Sequence, residues 1–300
     1  MFYKNNWLTW YYDNVEYGPS TSPTSKFDIK ITPTISRQVK SYKEELLLNA
    51  SLIRDSFNEP FDLMLSGGVD SEVILRCYLE LKIPINVFVF KYENDYNLPD
   101  VTHALRICKE LNVIPTVINF NLQKFFENEA YDIWTTGYYL NSGRLPHMKM
   151  IDYLDNIPIM GDSPPYWKFF NNEWHFELSE IDFSQLVYSK TTNRTMVANW
   201  YEYSPEVIIS HIEHPVMQSL MQGFASHNQY IKTKYNLHKQ LWNAIEIRPK
   251  YVGFEGTLTP GMNSSKPPFM LEFNKLYNDH RSSTTFHYTK QKLINALNIS

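Results

Sequence analysis

Cysteine and glycine are both scarce in this sequence. It has only two cysteines, Cys77 and Cys108, in 300 residues, and both fall inside apolar patterns typical of helices. Two such residues provide neither a disulfide framework nor the CxxC pairs of a redox or zinc site, so we expect both to be core thiols. Glycine occurs only ten times, about half of its usual frequency of roughly 7%. Two adjacent glycines in such a chain therefore indicate a local structural requirement.

Long apolar runs and an excess of one charge are also missing. No stretch approaches the roughly 20 apolar residues of a membrane helix, and the first residues lack the apolar core of a signal peptide. The 28 Lys and Arg residues are balanced by 32 Asp and Glu, a formal net charge of −4. This balance argues against a broad basic surface for nucleic acid or anionic lipid. We expect a cytoplasmic protein that does not bind membranes.

The hydrophobic pattern divides the chain into three regions. Residues 1–60 predict an N-terminal extension with one strand, at 27–32, and one amphipathic helix, within 36–57. Residues 61–165 alternate short apolar runs with helical stretches, which is typical of a doubly wound parallel α/β sheet. Residues 166–300 predict a mainly helical C-terminal lobe that contributes to the active site, and its first part, before residue 195, is predicted to be irregular and aromatic.

Four strands and several helices can be placed by this pattern. The predicted strands are 61–65, 85–90, 114–120 and 157–160. The predicted helices are 70–81, 99–111, two segments within 122–154, and, in the C-terminal lobe, 195–220, 234–245 and 288–297. The carboxyl ends of parallel strands meet at one edge of the sheet, where ligands of such sheets bind. We therefore expect the active site at that edge.

The segment Phe61-Asp62-Leu63-Met64-Leu65-Ser66-Gly67-Gly68-Val69-Asp70-Ser71 is the most informative in the sequence. An apolar strand ends in Ser-Gly-Gly, and a helix begins at once. Two glycines permit positive φ and let backbone N–H groups point into one space. The helix start adds unpaired N–H groups and its positive dipole end, and Ser66 and Ser71 add hydroxyl donors. The pattern predicts a phosphate site in which Asp70 ligates the accompanying Mg²⁺.

The strand-SGGVDS-helix pattern resembles the signature of the PP-loop, or N-type, ATP pyrophosphatase superfamily, which has an adenine nucleotide alpha hydrolase-like fold. That family cleaves ATP between the α- and β-phosphates and transfers AMP to an oxygen of its substrate. The resemblance implies that residues 65–71, including Val69, bind ATP, and that Leu65 and Phe90 lie near the adenine. Neither the Walker pattern GxxxxGK[ST] nor GxGxxG is present, which argues against kinase-like and dinucleotide-binding sites.

Two later segments resemble the synthetase domain of the asparagine synthase and β-lactam synthetase branch. Residues 157–162 are similar to a strand that ends in a glycine-acid turn over the nucleotide, which implies nucleotide binding by Gly161 and a second Mg²⁺ ligand in Asp162. Residues 248–254 resemble an Arg-x-Lys-x-Gly-Phe stretch and imply that Lys250 is catalytic, together with Asp70. An ammonium there would offset charge that develops on the α-phosphate. The alternative for Lys250 is a solvated charge in a basic stretch that also contains Lys232, Lys234, Lys239 and Arg248.

The sequence departs from this branch in two places. Ser163-Pro164-Pro165 stands where the branch has a further acidic pair, and Phe2 stands where glutamine-dependent asparagine synthases carry a catalytic cysteine. The expected activity is therefore an ATP-dependent, AMP-forming ligase that activates a carboxylate or carbonyl oxygen of a small molecule for attack by ammonia or an amine. Three alternatives stay open. They are a lysidine-synthase-like modifier of tRNA or nucleotides, for which the net charge disfavours tRNA, an NAD- or GMP-synthase-like activity, and a non-catalytic ATP-binding module.

Overall fold

The computed structural model describes residues 5–22, 24–35, 37–135, 144–161, 165–223, 225–246, 269, 275 and 284–297. These residues form an α/β fold with a four-stranded parallel sheet, flanking helices and two further antiparallel sheets of three strands each. The predicted fold class is confirmed, and the antiparallel sheets are additions to it. Across the described part of the chain, no helix is long and apolar enough to cross a membrane.

Ten strands and eleven α-helices are labelled here in chain order. The strands are β1 (Leu8–Tyr12), β2 (Val15–Glu16), β3 (Phe27–Ile31), β4 (Phe61–Met64), β5 (Ile85–Tyr92), β6 (Thr116–Phe120), β7 (Ile157–Met160), β8 (Trp167–Phe170), β9 (Glu173–Ser179) and β10 (Thr285–Thr289). The helices are α1 (Tyr42–Ser56), α2 (Val69–Glu80), α3 (Leu98–Glu110), α4 (Leu122–Asn128), α5 (Ala130–Ile133), α6 (Leu145–Met150), α7 (Ser184–Thr192), α8 (Pro205–Glu213), α9 (Pro215–Leu220), α10 (His227–Leu241) and α11 (Lys290–Ala296).

The parallel sheet has the strand order β6-β5-β4-β7. Strand β4 pairs in parallel with β5 on one side and with β7 on the other. All four residues of β4 and of β7 are buried, which is expected for strands covered on both faces and explains why every residue of the two strands except Asp62 is apolar. The four predicted strands are therefore confirmed, with end points shifted by no more than two residues.

The antiparallel sheets lie outside this central unit. Strand β1 pairs with β2 and β3, and β9 pairs with β8 and β10. Tyr12 at the end of β1 donates a hydrogen bond to Glu180 Oε1 at 2.6 Å, and the Thr284 N–H donates to Glu180 Oε2 at 3.0 Å. The buried Glu180 carboxylate thus connects the N-terminal sheet to the start of β10.

Two predictions for the C-terminal region are wrong in detail. The interval 166–194 is not irregular, because it contains β8, β9 and α7. The helix predicted at 234–245 is α10, which begins earlier, at His227. Its start is fixed by a capping box, in which the Gln229 N–H donates to Ser226 Oγ at 3.3 Å and the Ser226 N–H donates to Gln229 Oε1 at 2.7 Å. The earlier start places Lys234 in the middle of the helix.

The other C-terminal predictions also need correction. The segment predicted as one helix at 195–220 forms a 3₁₀ turn, Trp200–Glu202, followed by α8 and α9, with Pro215 at the start of α9. Proline at the first helical position has no N–H to pair and favours a new helix start over a continuous helix. The helix predicted at 288–297 is the shorter α11, because residues 285–289 belong to β10.

Candidate functional site

The strand order of the parallel sheet has a switch point at β4, where successive strands are added first on one side and then on the other. The path from β4 to β5 and β6 runs to one side, and β7 then lies on the other side of β4. A crevice between two such strands, outside their carboxyl ends, is where ligands of open α/β sheets bind. The loop after β4, residues 66–71, and the loop after β7, which starts at Gly161, both lie at this position.

The loop at residues 66–71, called the Ser66–Ser71 loop below, has a backbone that requires glycine at its second position. Gly67 has a φ of +77°, in the region that L side chains rarely adopt. A Cβ atom on Gly67 would lie 2.3 Å from the carbonyl oxygen of Asp100 in α3. The loop therefore lies directly against the first turn of α3, and only glycine fits there.

Serine hydroxyl groups close this loop over the start of α2. The Ser71 hydroxyl donates to the Gly68 carbonyl oxygen at 3.1 Å and accepts from the Ser66 N–H at 3.2 Å. The two hydroxyl oxygens lie 3.1 Å apart, and the Gly68 N–H donates to Ser66 Oγ at 3.3 Å. Ser71 is buried and Ser66 is exposed. Ser71 thus holds the loop from inside, while Ser66 presents its hydroxyl group to solvent.

The first turn of α2 fits an anion. The N–H groups of Val69, Asp70 and Ser71 have no backbone acceptor, because helix geometry provides none in the first turn. Gly161 lies against this turn, since a Cβ atom on it would be 2.8 Å from the Ser71 nitrogen and 2.9 Å from the Ser71 Cα. Any other side chain at position 161 would occupy the space beside the Ser71 N–H. Gly161 and the loop are therefore neighbours, and their predicted role in one nucleotide site stays a prediction.

Asp70 forms an ion pair that the sequence analysis missed. Lys234 Nζ in α10 lies 3.0 Å from Asp70 Oδ1 and 2.9 Å from Asp70 Oδ2. The side chain of Lys234 is only 8% exposed and that of Asp70 is 21% exposed. Tyr201 also donates a hydrogen bond to the Asp70 carbonyl oxygen at 2.8 Å. Lys234 is therefore not a solvated member of a basic stretch, and Asp70 contacts the C-terminal region through both carboxylate oxygens and its carbonyl oxygen.

The sequence of α10 contains a signal that Lys234 is buried and paired. Tyr230, Lys234 and His238 recur at intervals of four residues, and all three are buried. A lysine in the middle of the buried face of a helix almost always has a charged partner. The partner cannot be identified from the sequence, because Asp70 is 164 residues away.

Neutral rings surround the ion pair. Burial, with a smaller contribution from the Asp70 carboxylate, raises the pKa of Tyr201 well above its usual value, and burial likewise raises the pKa of Tyr42. Burial, together with the Lys234 ammonium, lowers the pKa of His238 to about 3. Burial, followed by the positive charges of His238 and Lys234, also lowers the pKa of His211. At neutral pH these four groups are uncharged.

Of the remaining predicted site residues, three are buried in or near the parallel sheet and two lie outside the described residues. Leu65, Val69 and Phe90 are all buried, and the Leu65 N–H donates to the Phe88 carbonyl oxygen at 2.9 Å, which extends the pairing of β4 with β5. The ring of Phe90 packs edge-on against Tyr153 at 6.1 Å. Asp162 and Lys250 lie outside the described residues, so their predicted roles stay predictions.

The cysteines lie in the core as predicted. Both Cys77 and Cys108 are buried and unpaired. Burial raises the pKa of both thiols, that of Cys108 to about 11. Neither is therefore a thiolate nucleophile at neutral pH.

A divalent cation fits this site only together with phosphate. Among the residues that the structure describes, no group of three or more His, Cys, Asp or Glu side chains is arranged to hold a metal ion. Mg²⁺ is typically bound by one or two carboxylates, with substrate phosphates and waters completing an octahedron. The Asp70 carboxylate, partly exposed beside the first turn of α2, is compatible with that arrangement.

Neither a protein-family model nor a curated protein sequence matches this chain. Among solved structures, it is similar to an NMN synthetase from Francisella tularensis, with 14% identity, 82% of this chain and 97% of that chain covered, and a TM-score of 0.32. It is also similar to an NH3-dependent NAD synthetase from Campylobacter jejuni subsp. jejuni in complex with the nitrate ion, with 12% identity, coverage of 82% and 93%, and a TM-score of 0.32. At this level of similarity, the function has to be argued from the residues of this chain.

Proposed function

We propose that this protein is an ATP-dependent, AMP-forming ligase. It binds Mg-ATP at the Ser66–Ser71 loop, transfers AMP to a carboxylate or carbonyl oxygen of a small acceptor, and passes the activated carbon to ammonia or an amine. One observation carries the proposal: the loop and Gly161 come together at the carboxyl ends of β4 and β7, with the first-turn N–H groups of α2 beside them.

Different groups of the protein would bind the phosphates and the adenine of ATP. Gly67, Gly68 and the first turn of α2 supply N–H groups, and the Ser66 hydroxyl adds a donor, for the phosphates that leave as pyrophosphate. Leu65 follows β4 directly, Phe90 lies near the carboxyl end of the neighbouring β5, and both would border the adenine. Such fixed donors stabilise the charge on the leaving group without reorganising during the reaction.

The metal and the catalytic lysine would complete the site. Asp70 would ligate Mg²⁺, with Asp162 as a second carboxylate, and Lys250 would offset charge on the α-phosphate. Magnesium, when bound, neutralises the phosphate oxygens and stabilises the leaving pyrophosphate.

Two bond exchanges make up the proposed reaction. The acceptor oxygen attacks the α-phosphorus of ATP, and the bond from that phosphorus to the bridging oxygen breaks, so pyrophosphate leaves with the electron pair. Ammonia or an amine then attacks the activated carbon, and AMP leaves with the electron pair of the carbon–oxygen bond. A proton from the nitrogen is released to solvent.

A second candidate is an ATP-binding module without turnover. The specific observation in its favour is that Lys234 contacts both oxygens of the Asp70 carboxylate, which is the group expected to hold Mg²⁺. The sequence Ser163-Pro164-Pro165, in place of further acidic residues, favours the same alternative.

Exchange of labelled pyrophosphate into ATP separates the two candidates. Pools of amino acids, organic acids and small RNAs are added with Mg²⁺, and a ligase of this type gives exchange with one pool. Ser66→Ala should lower that exchange at least about 100-fold, because it removes a donor to the leaving group. The control is Gly223→Ala, since a Cβ atom there meets nothing within 4 Å. ATP binding without exchange in any pool would favour the non-catalytic module.

A further inference from the structure

The ion pair of Lys234 and Asp70 leaves the lysine with a single anionic contact. The Nζ atom lies 2.9 to 3.0 Å from the two oxygens of one carboxylate, and the side chain is 8% exposed. Within the described ranges, Asp70 is the one acidic side chain that forms a hydrogen bond or ion pair with this ammonium. Removing that partner from a buried ammonium has a large free-energy cost unless another anion replaces it.

The groups beside Lys234 cannot replace Asp70. Among the described residues, His211 and His238 interact with the charge of Lys234, and the buried phenols of Tyr42 and Tyr230 interact with that of Asp70. The histidines are neutral at pH 7, since burial lowers the pKa of each. The phenols are also neutral, because burial raises the pKa of both. A new anion for Lys234 therefore has to come from a ligand.

A divalent cation and the ammonium compete for the same two oxygens. An ammonium within 3.0 Å of both Asp70 oxygens occupies the positions from which a carboxylate binds Mg²⁺. When the cation takes the carboxylate, Lys234 loses its partner beside the first turn of α2, where phosphate oxygens would then lie. The phosphates supply the anion that the displaced ammonium requires.

We propose that Lys234 is a phosphate-binding residue that is stored on the Asp70 carboxylate and moves to the phosphates of the nucleotide when Mg²⁺ takes that carboxylate. The inference rests on the proposed nucleotide site, but not on the chemistry proposed for it. It assigns to Lys234 a role that the sequence analysis gave to no residue of α10. The ion pair then belongs to the nucleotide-free state of a site that binds ATP.

Metal-free ATP binding in a double-mutant cycle tests this exchange. Calorimetric titrations with ATP in EDTA are made on the parent protein of 300 residues and on Asp70→Asn, Lys234→Met and Asp70→Asn/Lys234→Met. Asp70→Asn frees the ammonium, so ATP should bind about tenfold or more tightly than to the parent protein. In the double variant that gain should disappear. Lys232→Met, at an exposed position two residues away in α10, is the matched control and should leave ATP binding unchanged.

The outcomes of the double-mutant cycle distinguish a failure of this inference from a failure of the proposed function. A gain in Asp70→Asn that persists in the double variant would overturn the inference, because the gain would then come only from removing the negative charge. The absence of ATP binding in every variant, with or without Mg²⁺, would overturn both the inference and the nucleotide site. The predicted cycle in a protein that shows no pyrophosphate exchange would support the inference and reject the ligase. If Lys234→Met unfolds, the comparison of Asp70→Asn with the double variant in EDTA still shows whether Lys234 contributes to phosphate binding. If Asp70→Asn unfolds, the comparison of Lys234→Met with the parent protein in Mg²⁺-ATP shows it.

Discussion

Two acidic residues eight positions apart, Asp62 in β4 and Asp70 in the first turn of α2, lie on either side of the same loop and have different surroundings. Asp62, within β4, is fully buried and accepts hydrogen bonds from Asn86 Nδ2 and from the N–H and Nδ2 of Asn156, at 2.8 to 2.9 Å. Asp70 is 21% exposed and faces a lysine from a distant helix. The first carboxylate joins three strands through neutral donors, whereas the second is accessible and paired with a charge that another cation can replace.

The largest effect in this comparison is expected at Asp62. Asp62→Ala removes the acceptor of three hydrogen bonds from the exposed Asn86 and the half-buried Asn156, and each such bond contributes about 0.5–1.5 kcal/mol. We expect the free energy of unfolding to fall by about 3 kcal/mol. Urea unfolding followed by circular dichroism measures the change. Asp55→Ala, at an exposed position in α1, should change it by less than about 0.5 kcal/mol, and equal effects at both positions would contradict the role given to Asp62.

A smaller effect is expected when the ion pair of Asp70 is removed as a unit. Asp70→Asn and Lys234→Met should each lower the free energy of unfolding, because each leaves one partly or largely buried charge unpaired. The double variant should be more stable than the sum of the two changes predicts, with a coupling energy of about 1–3 kcal/mol. Strict additivity in urea unfolding would show that the two side chains do not interact in solution.

A third prediction concerns nucleotide binding and follows from the close approach of the Ser66–Ser71 loop and the loop after β7. Gly161→Ala places a methyl group against the backbone of Ser71, so ATP binding in the presence of Mg²⁺ should weaken about tenfold, by about 1.4 kcal/mol. Calorimetric titration measures the change, with Gly223→Ala as the control that adds a methyl group in open space. Unchanged affinity in Gly161→Ala would place the phosphates elsewhere.

The smallest effect concerns pH and the neutral histidines near Lys234. The pKa of His238 is about 3 in the folded protein and about 6.5 in the unfolded chain. The unfolded state therefore binds the proton first, and stability is lost as the pH falls from about 6.5 towards 3. This group contributes a slope of at most about 1.4 kcal/mol per pH unit.

Replacing His238 tests that slope directly. His238→Gln should reduce the loss of unfolding free energy between pH 6.5 and 5, measured by urea unfolding. The expected reduction is at most about 1.4 kcal/mol per pH unit, the contribution of one proton. His211, whose pKa is also lowered by burial, would retain its own part of the slope. An unchanged pH dependence in His238→Gln would show that His238 is not buried as a neutral ring.

The parts of the fold that could be predicted are those determined by local sequence. The four parallel strands are mainly apolar runs with a few polar residues, such as Asp62 in β4. The Ser66–Ser71 loop carries its own glycines and helix start, so the strands and the loop were identifiable without the fold. Strand β9 was also identifiable, because Trp174, Phe176 and Leu178 alternate with less buried residues, which is the period of a half-buried strand. It was missed because the aromatic residues around it were interpreted as irregular.

The parts of the site that could not be predicted depend on distant contacts. The pairing of Asp70 with Lys234 joins residues 164 positions apart, and no local pattern specifies which acid a buried lysine meets. The packing of Gly161 against Ser71 depends on β7 adding next to β4 rather than to β6. Strand order is a property of the whole sheet, although the resemblance to a known family anticipated that both loops serve one site.

The most direct test of the central claim is a crystal structure of the protein with Mg²⁺ and a non-hydrolysable ATP analogue. The account predicts that phosphate oxygens accept hydrogen bonds from the N–H groups of Val69, Asp70 and Ser71, that Mg²⁺ contacts the Asp70 carboxylate, and that Lys234 Nζ has moved from Asp70 to a phosphate. A nucleotide bound away from the Ser66–Ser71 loop, with the ion pair of Asp70 and Lys234 intact, would contradict it.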